Sequence, residues 1–87
     1  MREEIRREGE VFGSHLRSLR LARGLTQTDL AKRSRSNLQF ISKLERGVTT
    51  PTLGMLLRLA EALNCRITEL VKVFDRGPRV SPKSRKD

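Results

Sequence analysis

The stretch LTQTDLAKRSRSNLQFISKLERG, residues 25–47, decides how the rest of the chain is interpreted. Each half of it has a capping residue and an apolar side, so it predicts two short helices joined by a tight turn. Two helices with so short a link must cross steeply, which is the geometry of a helix-turn-helix.

The first half predicts a helix that begins after Thr26, a residue type that caps helices well. Asp29 then lies in the first turn, where a negative charge suits the helix dipole. Leu25, Leu30 and Ala31 supply its apolar side.

The second half repeats Leu38, Ile41 and Leu44 at three-residue steps, which places them on one side of a helix. Asn37 precedes this helix as a cap, and Gly47 follows it as a stop. The outward side chains are then Gln39, Phe40, Ser42, Lys43 and Arg46. A helix of this length fits the major groove of DNA.

The flanking segments carry two further motifs, LRSLRLARG before the pair and TPTLGMLLRLAEALN after it. With ISKLERG, they resemble the lambda-repressor/Cro-like (XRE) family of DNA-binding domains over about residues 11–74. The resemblance implies an all-α, compact five-helix lambda-repressor-like DNA-binding domain.

The resemblance also implies roles for individual residues. Gln27 matches a glutamine that bonds a backbone phosphate. Arg20 and Glu45 match an Arg–Glu pair that joins the first helix to the third, and we expect this pair to orient the reading helix. The positions that commonly reach base edges are matched by Leu38, Gln39, Ser42 and Lys43.

The turn departs from the family pattern, which usually has Gly at the position of Arg35 and a small apolar residue at that of Ser36. Two alternatives follow. Either Arg35 adopts the left-handed conformation, at a cost of order 1 kcal/mol, or the turn takes another shape.

The residue types of the third helix suit base recognition. Gln39 can pair with adenine N6/N7 and Lys43 can donate to guanine O6/N7. Because they are four residues apart, they are neighbours on one helical face. Phe40 either contacts thymine methyl or sugar or is half-buried core. The predicted base-reading set is Leu38, Gln39, Phe40, Ser42 and Lys43.

Phosphate contacts are expected on both sides of that face. Gln27 lies in the first turn of its helix, where free backbone N–H groups favour a phosphate. Thr26 serves as a cap, as a phosphate contact or as both. The full predicted set is Thr26, Gln27, Asn37, Arg46, Thr49 and Thr50.

Composition bounds the class of protein. Eighty-seven residues allow one small domain, and a leucine-rich chain without Trp or Tyr needs an aliphatic core. The net charge is +9, and residues 11–47 hold eight basic and two acidic residues, hence +6. This concentration indicates a polyanionic partner, with double-stranded DNA ahead of a membrane surface. The alternative is an ordinary solvated basic surface.

Catalysis and cofactor binding have no support in the sequence. Cys65 is alone, so neither an internal disulfide nor a metal site is expected, and His15 lacks catalytic neighbours. We interpret Cys65 as a small buried apolar residue and His15 as a boundary residue. No apolar run approaches the ~20 residues of a membrane span, and no leader pattern opens the chain. We therefore expect a cytoplasmic protein that is not an enzyme, without metal or membrane partner.

The chain divides into three predicted segments: an N-terminal extension 1–10, the helix-turn-helix domain 11–74, and a flexible basic tail 75–87. The extension either lengthens the first firm helix, 11–22, or remains loose; Gly9 and Gly13 weaken the helical alternative.

Two more helices are expected beyond the pair. One covers about 53–63 after the Thr52 cap, and its apolar stripe is Leu53, Leu56, Leu57, Ala60 and Leu63. The last, 66–74, carries more apolar surface than a terminal helix needs. We expect a homodimer interface there, formed by Ile67, Leu70, Val71 and Phe74.

The predicted function is that of a sequence-specific regulator of transcription, a dimeric repressor or autoregulator that reads the major groove with helix 38–46. One domain makes too few base contacts for typical operator specificity, so two half-sites are expected. The alternatives are an antitoxin with a toxin partner, a restriction–modification controller of the same fold, or a module that binds protein or RNA. The absence of Tyr and Trp argues against single-strand stacking.

Overall fold

The computed structural model describes residues 3–75, which contain helices and no strands. The five helices are α1 Glu3–Ala22, α2 Gln27–Arg33, α3 Leu38–Arg46, α4 Leu53–Ala62 and α5 Ile67–Val71, and a 3-10 turn, Lys72–Phe74, follows α5. The predicted five-helix, all-α fold is confirmed. The expected tail lies outside the described residues beyond Asp75.

The predicted caps are present at each of the three central helices. Thr26 Oγ1 accepts a hydrogen bond from the N–H of Asp29 at 3.0 Å, and Asp29 Oδ2 accepts one from the N–H of Thr26 at 2.9 Å. Asn37 Oδ1 accepts from the Phe40 N–H at 2.8 Å, and Thr52 Oγ1 accepts from the Met55 N–H at 3.1 Å. These bonds satisfy N–H groups that a helix start otherwise leaves without partners.

The first helix is longer than its firm prediction, since the N-terminal extension is helical from Glu3 onward. The glycines expected to weaken it are instead required by packing. A Cβ on Gly13 would collide with the carbonyl oxygen of Leu44, and one on Gly9 would lie 2.9 Å from that of Gly47. Glycine therefore lets α1 cross the C-terminal end of α3 at backbone contact.

The turn between α2 and α3 uses the left-handed alternative, because Arg35 has φ 57°. Gly47, the predicted stop of α3, also has a positive φ, 78°, and its N–H bonds the carbonyl of Leu44. Both short helices thus begin directly after their predicted caps, and α3 ends at its predicted stop.

The inner face of α4 agrees with the predicted stripe only in part, since Ala60 and Leu63 are buried as predicted. Leu53 and Leu57 are 70% and 55% exposed, whereas Met55 and Leu59 are buried. Packing against the rest of the core buries Met55, Leu59 and Ala62 and leaves the two exposed leucines outside. Leu56 is half-buried.

The last helix is short, and it is tied to α1. Ile67–Val71 is α-helical and the remaining predicted residues form the 3-10 turn. The His15 ring donates from Nε2 to the carbonyl oxygen of Glu69 at 2.6 Å. His15 is therefore a half-buried link between α1 and α5. Cys65 is also half-buried, and burial raises the pKa of its thiol.

Candidate nucleic-acid interface

A buried carboxylate holds together the three helices that form the candidate interface. Arg20 in α1 donates from Nε to Glu45 Oε2 at 2.6 Å and from Nη2 to Oε1 at 3.0 Å. Gln27 in α2 donates from Nε2 to Glu45 Oε1, also at 3.0 Å. The side chains of Arg20 and Glu45 are only 8% and 3% exposed, so Glu45 of α3 is a junction protected from water.

Arg20 has a further partner, because its Nη1 donates to the carbonyl oxygen of Leu25 at 2.8 Å. The hydrogen bond with Glu45 raises the pKa of Arg20 above its ordinary value. Glu45 receives two parallel N–H bonds, the geometry in which an Arg–carboxylate pair is strongest and most directional. The arrangement fixes the angle between α1 and α3 and brings the start of α2 against them.

The family resemblance predicted the pairing of Arg20 with Glu45, but for Gln27 it predicted only a contact with a DNA phosphate. The structure adds the Gln27–Glu45 bond, which uses one of the two N–H donors of the Gln27 amide. Sequence spacing carries no signal for this contact, since eighteen residues separate the two side chains.

The outer face of α3 is exposed to solvent, whereas its inner face is buried in the core. Ile41 and Leu44 have no exposed surface. Gln39 and Lys43 are exposed, and Leu38 at the start of the helix is 48% exposed. This is the division that the repeat of Leu and Ile predicted, except that Leu38 faces solvent.

Two further members of the predicted base-reading set are less accessible. Phe40 is half-buried and packs against the core, which is the second of the two alternatives predicted for it. Ser42 is half-buried, and its hydroxyl accepts a hydrogen bond from Arg46 Nε at 3.2 Å. Both therefore have partners within the domain.

The residues proposed for phosphate contact lie at several positions around α3. Thr26 and Asn37 are exposed at the starts of α2 and α3, where their side chains already act as caps. The exposed side chains of Leu38, Gln39 and Lys43 form what we call the recognition face. Arg46 and Thr50 follow it in sequence and are exposed, whereas Thr49 is half-buried.

The predicted interface residues of the last helix require a correction. Leu70 is 0% exposed inside the core and has no surface for a partner, so its assignment to an interface is wrong. The spacing of apolar residues indicated a surplus because it could not show that α5 packs against α1 and α4. Ile67, Val71 and Phe74 are half-buried and pack against the core.

Metal-binding sites and membrane-spanning helices require features that residues 3–75 do not have. This part of the chain contains no group of acidic, His and Cys side chains suited to a metal ion. Within the same residues, no helix has the length and apolar character needed to cross a membrane.

Several known proteins are similar to this chain in sequence. Residues 16–70 match a family model described as helix-turn-helix. Over 69 residues the chain is 41% identical to the HTH-type transcriptional regulator y4dJ of Sinorhizobium fredii, covering 79% of this chain and 90% of that protein. Over 63 residues it is 30% identical to the HTH-type transcriptional regulator YazB of Bacillus subtilis, covering 72% and 91%.

Solved structures agree with these sequence relatives. The restriction–modification controller protein C.AhdI of Aeromonas hydrophila matches with a TM-score of 0.71 and 38% identity, over 72% of this chain and 96% of that one. A structure of the clp gene regulator ClgR of Corynebacterium glutamicum matches with a TM-score of 0.70 and 31% identity, over 75% of this chain and 84% of that one. The chain therefore belongs to the XRE-type helix-turn-helix family and is a DNA-binding transcriptional regulator.

Proposed function

We propose that the protein reads a specific sequence of double-stranded DNA by inserting α3 into the major groove. One observation carries this proposal: α3 buries Ile41 and Leu44 completely while it turns Gln39 and Lys43 to solvent on one face. A helix held from behind in this way presents its polar face in a fixed orientation, which base recognition requires.

The chemistry of the exposed face suits base edges. The Gln39 amide can donate an N–H to adenine N7 while its oxygen accepts from adenine N6, and the Lys43 ammonium can donate to the acceptors of guanine. Leu38 offers apolar contact for a thymine methyl group. Phe40 and Ser42 would support this face without contacting bases, because Phe40 packs against the core and Ser42 accepts a hydrogen bond from Arg46.

The surrounding polar residues would bind the backbone. Gln27 keeps one amide donor free of the Glu45 bond, and Arg46 adds a cation beyond the recognition face. Such contacts set the position of the domain and do not read sequence. The remaining members of this proposed set are Thr26, Asn37, Thr49 and Thr50, and the basic residues of 76–87 would add salt-dependent attraction.

Specific binding is tested with the duplex that the protein enriches from a random pool. Its affinity is measured against that of a scrambled duplex and a single strand at two salt concentrations. The proposal predicts that added salt weakens all three, while a preference for the enriched duplex persists. Equal affinities for the enriched and scrambled duplexes would reject sequence-specific reading.

We further propose that two copies associate through the outer face of α4. Leu53 and Leu57 are four residues apart, so they share one face, and they are the two most exposed large apolar side chains among residues 3–75. Leu56, between them in sequence, lines a depression together with Val71 and Phe74. Residues 48–74 hold three basic and two acidic residues, so two copies meet here with little repulsion.

The oligomeric state is measured by sedimentation of the wild type and of two variants. Leu57→Lys introduces a charge into the proposed interface and should yield monomers. Leu21→Lys changes an equally exposed leucine of α1, 52% exposed, and should leave the dimer intact. A wild-type protein that remains monomeric at tens of micromolar would contradict the interface.

We propose a repressor or autoregulator of transcription acting at the nucleoid in the cytoplasm. The likeness to C.AhdI favours a restriction–modification controller as the second candidate, ahead of an antitoxin with a toxin partner. The position of the enriched sequence in the genome separates these functions. A site before the gene for this protein and a neighbouring nuclease gene would support the controller.

A further inference from the structure

A contact from outside the helix-turn-helix reaches its turn. Arg58, in α4, donates from Nε to the carbonyl oxygen of Ser34 at 3.0 Å. Arg58 is half-buried, and its Nη2 lies 3.8 Å from the Met55 sulfur one turn earlier in the same helix. The sequence patterns that identified the recognition face gave Arg58 no role, because its bond joins residues that are 24 positions apart.

The acceptor of this bond belongs to the most buried polar residue of the turn. Ser34 ends α2 and has no exposed surface. Its hydroxyl donates to the carbonyl oxygen of Leu30 at 2.8 Å and lies 3.0 Å from the hydroxyl of Ser36. Ser36 immediately precedes Asn37, the cap at which α3 begins. A short series of hydrogen bonds thus connects Arg58 to the start of the reading helix.

The turn needs such support because its own backbone does not favour the observed shape. Arg35 adopts φ 57°, a left-handed conformation that a side chain makes unfavourable. Residues in such conformations persist only where the surroundings hold them. The Arg58–Ser34 bond connects the turn to α4 and helps to stabilise this conformation. At the other end of α3, the Arg20–Glu45 pair connects that helix to α1.

We infer that Arg58 is a positioning residue for sequence recognition: its bond to Ser34 fixes the start of α3, and with it Leu38 and Gln39. The inference rests on the proposed reading of DNA by α3. It differs from a purely structural role, which would lower stability without altering the preference of the folded protein among duplexes. It also differs from a phosphate contact by the Arg58 charge, which would affect all duplexes alike.

Two substitutions separate these roles. Arg58→Gln removes the charge but keeps an N–H donor at the position of Arg Nε, because both atoms follow Cδ. Arg58→Met removes the charge and the donor while matching the side-chain length of the Gln variant. Thermal unfolding is followed by circular dichroism, and affinities are measured at a temperature at which all variants are folded. The readout is the ratio of affinities for the enriched and scrambled duplexes.

The inference predicts that Arg58→Met lowers this ratio by about tenfold, which is within the range lost with one good base contact. Arg58→Gln should retain the wild-type ratio, although it binds both duplexes somewhat more weakly. If Arg58→Met keeps the wild-type ratio, or if both variants lose it equally, the positioning role is overturned. A wild-type protein without any preference overturns the proposed function as well, and this separates the two failures.

Discussion

At the scale of single residues, the candidate interface depends on Glu45, which accepts hydrogen bonds from both α1 and α2. Its partner Arg20 could be predicted from the resemblance of the motifs around both residues. The Gln27 bond could not, because a periodic pattern shows which face a residue occupies and not which side chain lies opposite. The same limit concealed the bond from Arg58 to Ser34.

Gln39 and Gln27 should behave differently when each is changed to Ala. Gln39→Ala should cost about 1–3 kcal/mol on the enriched duplex and little on a scrambled one, since it removes a base contact. Gln27→Ala should weaken both duplexes to a similar extent, since it removes a phosphate contact. Affinity titrations on the two duplexes measure both effects. Equal losses for Gln39→Ala would reject direct reading of a base at that position.

The buried ion pair predicts a large stability effect from a small substitution. Glu45→Gln leaves the Arg20 charge buried without a counter-charge, and we expect a loss of about 3–5 kcal/mol in the free energy of unfolding. Glu3→Gln is the matched control, because its pair with Arg6 is more than half exposed on both sides. Its loss should stay below about 1 kcal/mol. Denaturant unfolding measures both, and comparable losses would show that the Arg20–Glu45 pair is not protected from solvent.

At the scale of elements, the helices were predictable in number and at most of their boundaries. Thr26, Asn37, Thr52 and Gly47 each perform the local function that their residue type favours. The orientation of α4 and the course of the N-terminal extension were not predictable. Both are decided by neighbouring elements: the core leaves Leu53 and Leu57 uncovered, and α1 approaches the end of α3 closely at Gly9 and Gly13.

The close crossing of α1 and α3 makes Gly13 sensitive to a single methyl group. Gly13→Ala should lower the free energy of unfolding by about 1–3 kcal/mol, because the Cβ meets backbone carbonyls that cannot easily move. Gly54→Ala is the control, because its Cβ would have no neighbour closer than 3.9 Å. The higher helix propensity of Ala should therefore raise the free energy of unfolding by about 0.5–1 kcal/mol. Denaturant unfolding distinguishes the signs, and a stabilised Gly13→Ala would disprove the close crossing.

The capping box at the start of α2 gives its stability a defined pH dependence. Hydrogen bonds from the backbone and side chain of Thr26 lower the pKa of Asp29 below its ordinary value of 3.8. The charged carboxylate is therefore bound more strongly in the folded state, so its contribution is present above pH 3.8 and is lost as pH falls through the lowered pKa.

We expect wild type to unfold at a higher temperature than Asp29→Asn near neutral pH. The gap should narrow as the solution is acidified and close once the carboxyl group is protonated in both states. Thermal unfolding across a pH series measures it. A gap that stays constant down to low pH would indicate that Asp29 stabilises α2 without its charge.

At the scale of the whole molecule, the excess positive charge and the two most exposed leucines lie in different segments. Residues 11–47 carry a net +6, with eight basic and two acidic residues, and include α3. The exposed leucines of α4 lie in residues 48–74, where three basic and two acidic residues nearly balance. The charge distribution was readable from the sequence. The identity of the apolar face was not, because it depends on which leucines the core leaves uncovered.

The central claim is that the exposed face of α3 is the surface that contacts DNA. It is tested most directly by titrating isotope-labelled protein with the enriched duplex and following the backbone amide signals by NMR. The largest shifts should occur in residues 38–46 and in the first turn of α2, while those of α4 that face solvent should change little. Shifts centred on Leu53 and Leu57, with residues 38–46 unchanged, would contradict the account.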